Sequence, residues 1–334
     1  MNAIDFDDIS VKCKKLSFLI LLLIFLFVSV FSSEAQQVAD TTYKFFIYQA
    51  AFQKGESPVI YIDEAHNNFH TKGGRFFAFS KLLEQDGYRV KRQNEAIMNA
   101  DMLNACKILV IANPLHVSNV NRWTLPTPSA FSTDEISNIK QWVENGGSLF
   151  LIADHMPFSG AAYDLSKAFG FEFINGFSIT GEGSWPPSVF TFETGTLQNS
   201  PVTSGIKDYE KIDKVSTFTG SAFKAPEGSI DILNFLAEHY SQQPDTAWRF
   251  NDNTPIQKLD GFYQGAILTF GKGNVAVFGE AAMFTAQIVN GNVNVGFNSE
   301  YAPQNAQFTL NLIYWLDGVK DYSGTIAKEK KTDN

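Results

Sequence analysis

Three short apolar runs, PVIYID (58–63), KILVIANP (107–114) and SLFLIAD (148–154), alternate with helical patterns, and this alternation constrains the fold more than any other feature. Runs of this length, rich in β-branched residues, read as buried strands. After the first, GGRFFAFSKLLEQDG puts Phe76, Phe79, Leu82 and Leu83 on one face at helical spacing, with Gly87 placed to end the helix in the left-handed conformation. YRVKRQ reads as an edge strand, and a short helical piece is expected over about 95–104. Before SLFLIAD, Ser132 and Glu135 form a capping box for EISNIKQWVENGG, whose Ile136, Ile139, Trp142 and Val143 share a face and whose Gly146 closes the end. Strand, helix, strand in this order predicts an α/β protein with parallel strands and helical crossovers.

The later chain is less regular. A polar, Pro-containing loop spans Leu115 to Phe131, too long for a plain connection. FEFINGFSIT and GEGSWPPS read as strands and excursions, QGAILTFGKGNVAVFGE as a hairpin and NAQFTLNLIYWLDG as an amphipathic closing helix.

At the other end, Lys12, Lys14 and Lys15 precede an apolar stretch and a Ser33-Glu34-Ala35 exit, the pattern of a secretory leader over residues 1–35. The apolar stretch Leu16 to Phe31 is long for a leader, so an uncleaved anchor is the alternative, and either way the rest is expected to be exported, periplasmic or secreted. A lead-in over 36–55, one domain over 56–320 and a polar, disordered tail over 321–334 complete the expected organisation. Of two cysteines Cys13 lies in the leader, so Cys106 has no internal partner for a disulfide. The net charge of -9 gives no electrostatic footprint for nucleic acid, and a membrane is an expected partner only if the leader stays attached.

In an open parallel sheet, ligands bind beyond the carboxyl ends of the strands. The residues expected there are Asp63, Glu64, His66, Asn67, Asn68 and His70 after the first strand, Asn113 and His116 after KILVIA, Asp154 and His155 after SLFLIA, and Glu280 after the hairpin. Each alone reads as a cap or turn former; four of the five histidines at one edge read as a site. Acid/base chemistry by Asp63, His66, Asp154, His155 and Glu280 is one expectation. A divalent metal such as zinc on His66, His70 and His116 is the other, although their spacing in a loop fixes no geometry. His239 reads as exposed. Trp123 and Trp185, on long loops, are candidate stacking walls for a small carbohydrate-like ligand, or else pack back onto the core.

The order of DEAHNNFHT, the GRF helix, LVIANP, FSTDEI…WVENGGSLFLIADHMPF, NSPVTSGI, GKGNVAVFGEAAMF and NAQFTLNLIYWLDG resembles the class I glutamine amidotransferase-like superfamily, in an uncharacterised exported bacterial branch. The resemblance covers most of residues 56–318 and implies a flavodoxin-like three-layer sandwich with a mostly parallel central sheet and long loop insertions. It implies no glutaminase, because the strand that ends in the cysteine nucleophile of true members ends here in Asp154-His155. A hydrolase-like enzyme and a non-catalytic ligand-binding or assembly module are the two functional readings.

Overall fold

The computed structural model describes residues 37–181 and 187–320. The expected leader, Trp185 and the expected tail lie outside the described residues.

The apolar runs and YRVKRQ become strands β1 (Val59–Asp63), β2 (Arg89–Gln93), β3 (Ile108–Ala112) and β4 (Ser148–Ile152). With β5 (Glu172–Phe173), β6 (Phe223–Lys224), β7 (Ile230–Asn234), β8 (Tyr263–Phe270) and β9 (Gly273–Phe278) they build a nine-stranded sheet. Its order is β2-β1-β3-β4-β9-β8-β6-β5, with β7 also paired to β8. From β2 to β9 all pairings are parallel. From β8 onward they are antiparallel. The β8–β9 hairpin closes through a two-residue turn at Gly271, where φ is +61° and a Cβ would stand 2.8 Å from the backbone of Glu144.

Both faces of the parallel half are covered, which is why its strands read as unbroken apolar runs. Ile60, Ile62, Val110, Phe150 and Ile152 share a core with α1 (Phe77–Gln85). Leu109, Ile111, Leu149 and Leu151 share the opposite core with α2 (Thr133–Glu144) and α3 (Phe158–Lys167). The charged β2 takes the edge, where Arg89, Lys91 and Arg92 are exposed and discourage pairing with another chain. After the one-turn α4 (Pro201–Ser204), α5 (Asn305–Asp317) joins α1 on the first face. The sequence predicts α5 to be amphipathic; instead it is buried on almost every side, and Asn305 and Asn311 donate from within it to the carbonyls of Ser216, Val202 and Glu210. Those amides are buried because they are fully bonded.

Among the long insertions, a small antiparallel sheet of Phe177–Ile179, Tyr240–Gln242 and Ile256–Lys258 docks beside the end of β4, where Met156 N–H donates to the carbonyl of Gly176. No helix among the described residues is long and apolar enough to cross a membrane.

Candidate functional site

The chain leaves β1 for β2 on one side and returns to β3 on the other, so the gap between the ends of β1 and β3 is the switch point at which α/β sheets form crevices. The loop after β1 fills this gap. Phe69 N–H donates to the carbonyl of Asn113 at 2.9 Å, and Leu115 N–H to that of His66 at 2.8 Å. Asn67 and Asn113 make the tight turns at φ of +49° and +50°, a conformation asparagine adopts at low cost.

His66 does not face a ligand. Its Nδ1 lies 2.8 Å from Asp63 Oδ2 and its Nε2 2.9 Å from Glu135 Oε1, with all three groups buried. Both ring nitrogens meet carboxylate oxygens, so both must donate, and only the imidazolium can do so. Burial alone would depress the pKa, but Asp63 and then Glu135 outweigh it and raise it above the ordinary histidine value. Burial also opposes the Glu135 charge, yet Ser132 and His66 hold that carboxyl below its usual range. The Glu135 that completes the α2 capping box therefore also receives His66 and the N–H of Ile97, tying the end of β1 to the start of α2.

His70 is buried as well. Asn113 Oδ1 accepts the N–H of Asp154 at 2.8 Å, so Asn113 Nδ2 is the donor to His70 Nδ1 at 3.1 Å, and the neutral ring carries its proton on Nε2. Burial first, and then the charge of Arg75, hold His70 well below the ordinary histidine range.

His155, also buried, is the rim histidine with a ring nitrogen left unbonded. Its Nδ1 donates to the carbonyl of Met156 at 2.7 Å, which fixes the tautomer and leaves Nε2 as an acceptor with no hydrogen bond among the described residues. The ring stacks on Phe177 (centroids 4.3 Å apart, planes 12°) and meets Trp248, Phe158 and Trp123 at 4.8, 5.8 and 6.0 Å. Burial lowers its pKa, with Asp154 and Met156 offsetting this in part, so the ring is neutral at pH 7. Trp248 is 51 % exposed and Phe250 40 %. Trp248 also holds φ of +66°, a strained conformation for a bulky residue and one that gathers at ligand sites.

Asp154 and Glu280 follow adjacent strands and interact. Asp154 Oδ1 accepts the N–H of His155. Glu280 is fully buried, its oxygens accepting the N–H groups of Ala282 and Met283, with Phe218 N–H as a further donor. Burial and then the nearby Asp154 charge push its carboxyl well above the usual range, against those donors. Glu280 organises the turn after β9; its oxygens are committed to backbone, not presented to a ligand.

The expected convergence is thus divided. Asp154 stands beside His155 and interacts with the charge of Glu280, whereas no hydrogen bond, ion pair or ring contact joins His66 to His155. The expected metal set of His66, His70 and His116 is not assembled. His66 is locked between carboxylates, His70 is bonded to Asn113, and His116 caps a turn by accepting the N–H of Ser118. Among the described residues no group of three or more His, Cys, Asp or Glu can hold a metal ion. His239, expected to be exposed, is buried, because its Nδ1 accepts the N–H of Leu236 and so closes the turn before Tyr240. Cys106 is buried, its thiol bonded to the carbonyl of Leu103 and pushed up to about 12 by burial, so it is no nucleophile.

Sequence reasoning missed Phe69, Arg75, Glu135, Phe177 and Trp248. The one local signal was TAWRF, two large aromatics in an otherwise polar loop. What seats that loop is remote: Ala247 N–H donates to the carbonyl of Trp123, and Leu125 N–H to that of Asp245. An open groove of about 1090 Å³ between Thr41–Phe45 and α1 contains none of these residues.

No protein-family model matches the chain, and no curated protein matches its sequence. Among solved structures, the mmIFT52 N-terminal domain is similar over 77 % of this chain and 97 % of its own, with a TM-score of 0.53 and 13 % identity. Structural neighbours also include ThuA-like proteins from Bacteroides uniformis ATCC 8492 (TM-score 0.43, 14 % identity, 82 % of this chain and 94 % of that one) and from Parabacteroides merdae ATCC 43184 (0.38, 10 %, 78 % and 91 %). At these identities the first match supports a common α/β scaffold alone, and the scores of the other two carry no argument about residues or activity.

Proposed function

We propose that the protein is exported, has a glutamine amidotransferase-like domain of flavodoxin-like three-layer form, and binds a small carbohydrate-like ligand at the rim around His155. The motif order and the parallel order β2-β1-β3-β4-β9 support the scaffold reading. The observation that carries the ligand reading is His155 itself: a neutral ring of fixed tautomer, walled by Trp123, Phe158, Phe177 and Trp248, with Nε2 left to accept. Aromatic walls suit the apolar face of a sugar ring, and a neutral imidazole is the correct form to take a proton from water in hydrolase-like chemistry. Asp154 beside it stabilises the imidazolium that such a step creates.

The non-catalytic module is favoured by one observation, the internal locking of Asp63 and His66 with Glu135, which removes two of the five expected acid/base residues from the crevice. Tryptophan fluorescence of the mature protein, titrated with glucose, N-acetylglucosamine and cellobiose, tests binding; release of nitrophenol from nitrophenyl glycosides and acetate tests hydrolysis. His155→Phe keeps the stack and removes Nε2. Turnover lost in His155→Phe with sugar binding retained supports the enzyme. Binding weakened by Trp248→Ala with no turnover in the wild type supports the module, and no response to any sugar sinks both.

A further inference from the structure

One cation at the switch point has no counterpart. The guanidinium carbon of Arg75 lies over the Phe69 ring, 3.7 Å from its centroid. Among the described residues it forms no ion pair and no hydrogen bond, and its Nε is buried without an acceptor. The nearby basic residues differ: Lys72 pairs with Glu84 at 2.8 Å and Arg92 with Glu64 at 3.4 Å. The Arg75 side chain is only half-buried, but its Nε–H is shut off from water with no acceptor, and an unpaired buried donor is costly unless something else completes it.

Two neighbouring features have the same sign. His70, close enough to feel the Arg75 charge, is 3 % exposed and its Nε2–H has no acceptor. Arg75 stands two residues before α1, whose first turn has neither a side-chain cap nor an acidic residue. Phe69 then connects this cationic spot to the rim, meeting Trp123 at 5.2 Å and Phe158 at 5.3 Å, both of which touch His155.

We propose that Arg75, set over Phe69 and neighboured by the unpartnered Nε2–H of His70, is the anion-binding subsite of the His155 rim, and that the ligand is an acidic sugar or similar ring bearing an oxyanion. The inference rests on the ligand reading above and names its class. A planar carboxylate matches the guanidinium fork in a two-point contact, and the aromatic path from Phe69 through Trp123 carries the ring toward His155. A phosphate or sulfate ester offers the same oxyanion chemistry.

The test compares glucuronate with glucose, and glucose 6-phosphate and glucose 6-sulfate with both, by tryptophan fluorescence and calorimetry on the mature wild-type protein, Arg75→Met and Arg75→Lys. Glucuronate or one of the two esters should bind at least about tenfold more tightly than glucose, the ratio of affinities naming the oxyanion. Arg75→Met should erase that preference, and Arg75→Lys, which keeps charge but not the fork, should retain only part of it. Should Arg75→Met fail to fold, the wild-type preference and its reduction in Arg75→Lys still decide. Equal binding of all four sugars, or a preference unchanged in either variant, overturns the subsite. If glucose binds and Trp248→Ala abolishes it while Arg75 variants do nothing, the subsite falls and the His155 reading stands. If Arg75 governs anion binding while Trp248→Ala and His155→Phe leave it untouched, the anion site stands apart from the rim and the joint proposal fails.

Discussion

Replacing His66 with alanine should destabilise the fold rather than disable a site, with a pH dependence set by its two carboxylate partners. Removing the imidazole strands Asp63 and Glu135, both buried, without their common counter-charge. Breaking a buried pair by deleting one partner costs about 3–5 kcal/mol. Glu135 keeps Ser132 and the N–H of Ile97 as donors, and Asp63 keeps the N–H of Ala65. The lower end, about 3 kcal/mol, is therefore expected. For a domain of this size that lowers Tm by about 6–12 °C. Because the folded-state pKa of His66 is raised, its contribution is fully present below the unfolded histidine value of about 6.5 and is lost as pH rises through the folded value. Glu135 works in the opposite direction: its lowered pKa gives stability that is present above about 4.3 and lost as pH falls through the folded value. The gap between wild type and His66→Ala is therefore widest between these limits. Urea unfolding of both proteins at pH 5.5 and pH 9, with m-values compared, measures it. A gap below about 1 kcal/mol at pH 5.5, or one that grows toward pH 9, would refute the charged-network account. So would full stability with loss of ligand binding, the outcome expected of a rim residue.

Trp248→Ala should lower sugar affinity while changing stability by less than about 1 kcal/mol, since the ring is half exposed and its left-handed backbone gains nothing from bulk; urea midpoints that fall sharply would make it a core residue instead. Native Cys106 should resist Ellman's reagent at pH 8 and react only on unfolding, given its burial and raised pKa. Rapid labelling of the folded protein would contradict that. The exported form should begin near Gln36, as N-terminal sequencing of the mature protein will report, and Met1 retained on exported protein would favour the anchor.

The alternation of β1, α1, β2, β3, α2 and β4 was legible because burial on both faces demands unbroken apolar runs, and caps such as Ser132, Glu135 and Gly87 act through near neighbours in the chain. That Asp63, His66, Asn113, Asp154, His155 and Glu280 follow strand ends was likewise a matter of order along the chain. Which of them would be consumed internally was not. Glu135 lies 69 residues from His66, and only the seating of α2 against the end of β1 turns a capping residue into its ion-pair partner. His239 looked like a surface residue because the turn that its Nδ1 closes by accepting the Leu236 N–H leaves no mark in EHYS. The aromatic wall of His155 comes from segments around positions 123, 158, 177 and 248, and among the described residues Arg75 has no ion-pair or hydrogen-bond partner, which no local pattern around GGRFF announces. Local pattern determines which element forms, since its forces reach a few residues. Pairing across the sheet, which decides whether a polar group is satisfied or left to a ligand, depends on contacts that exist only once the chain has folded.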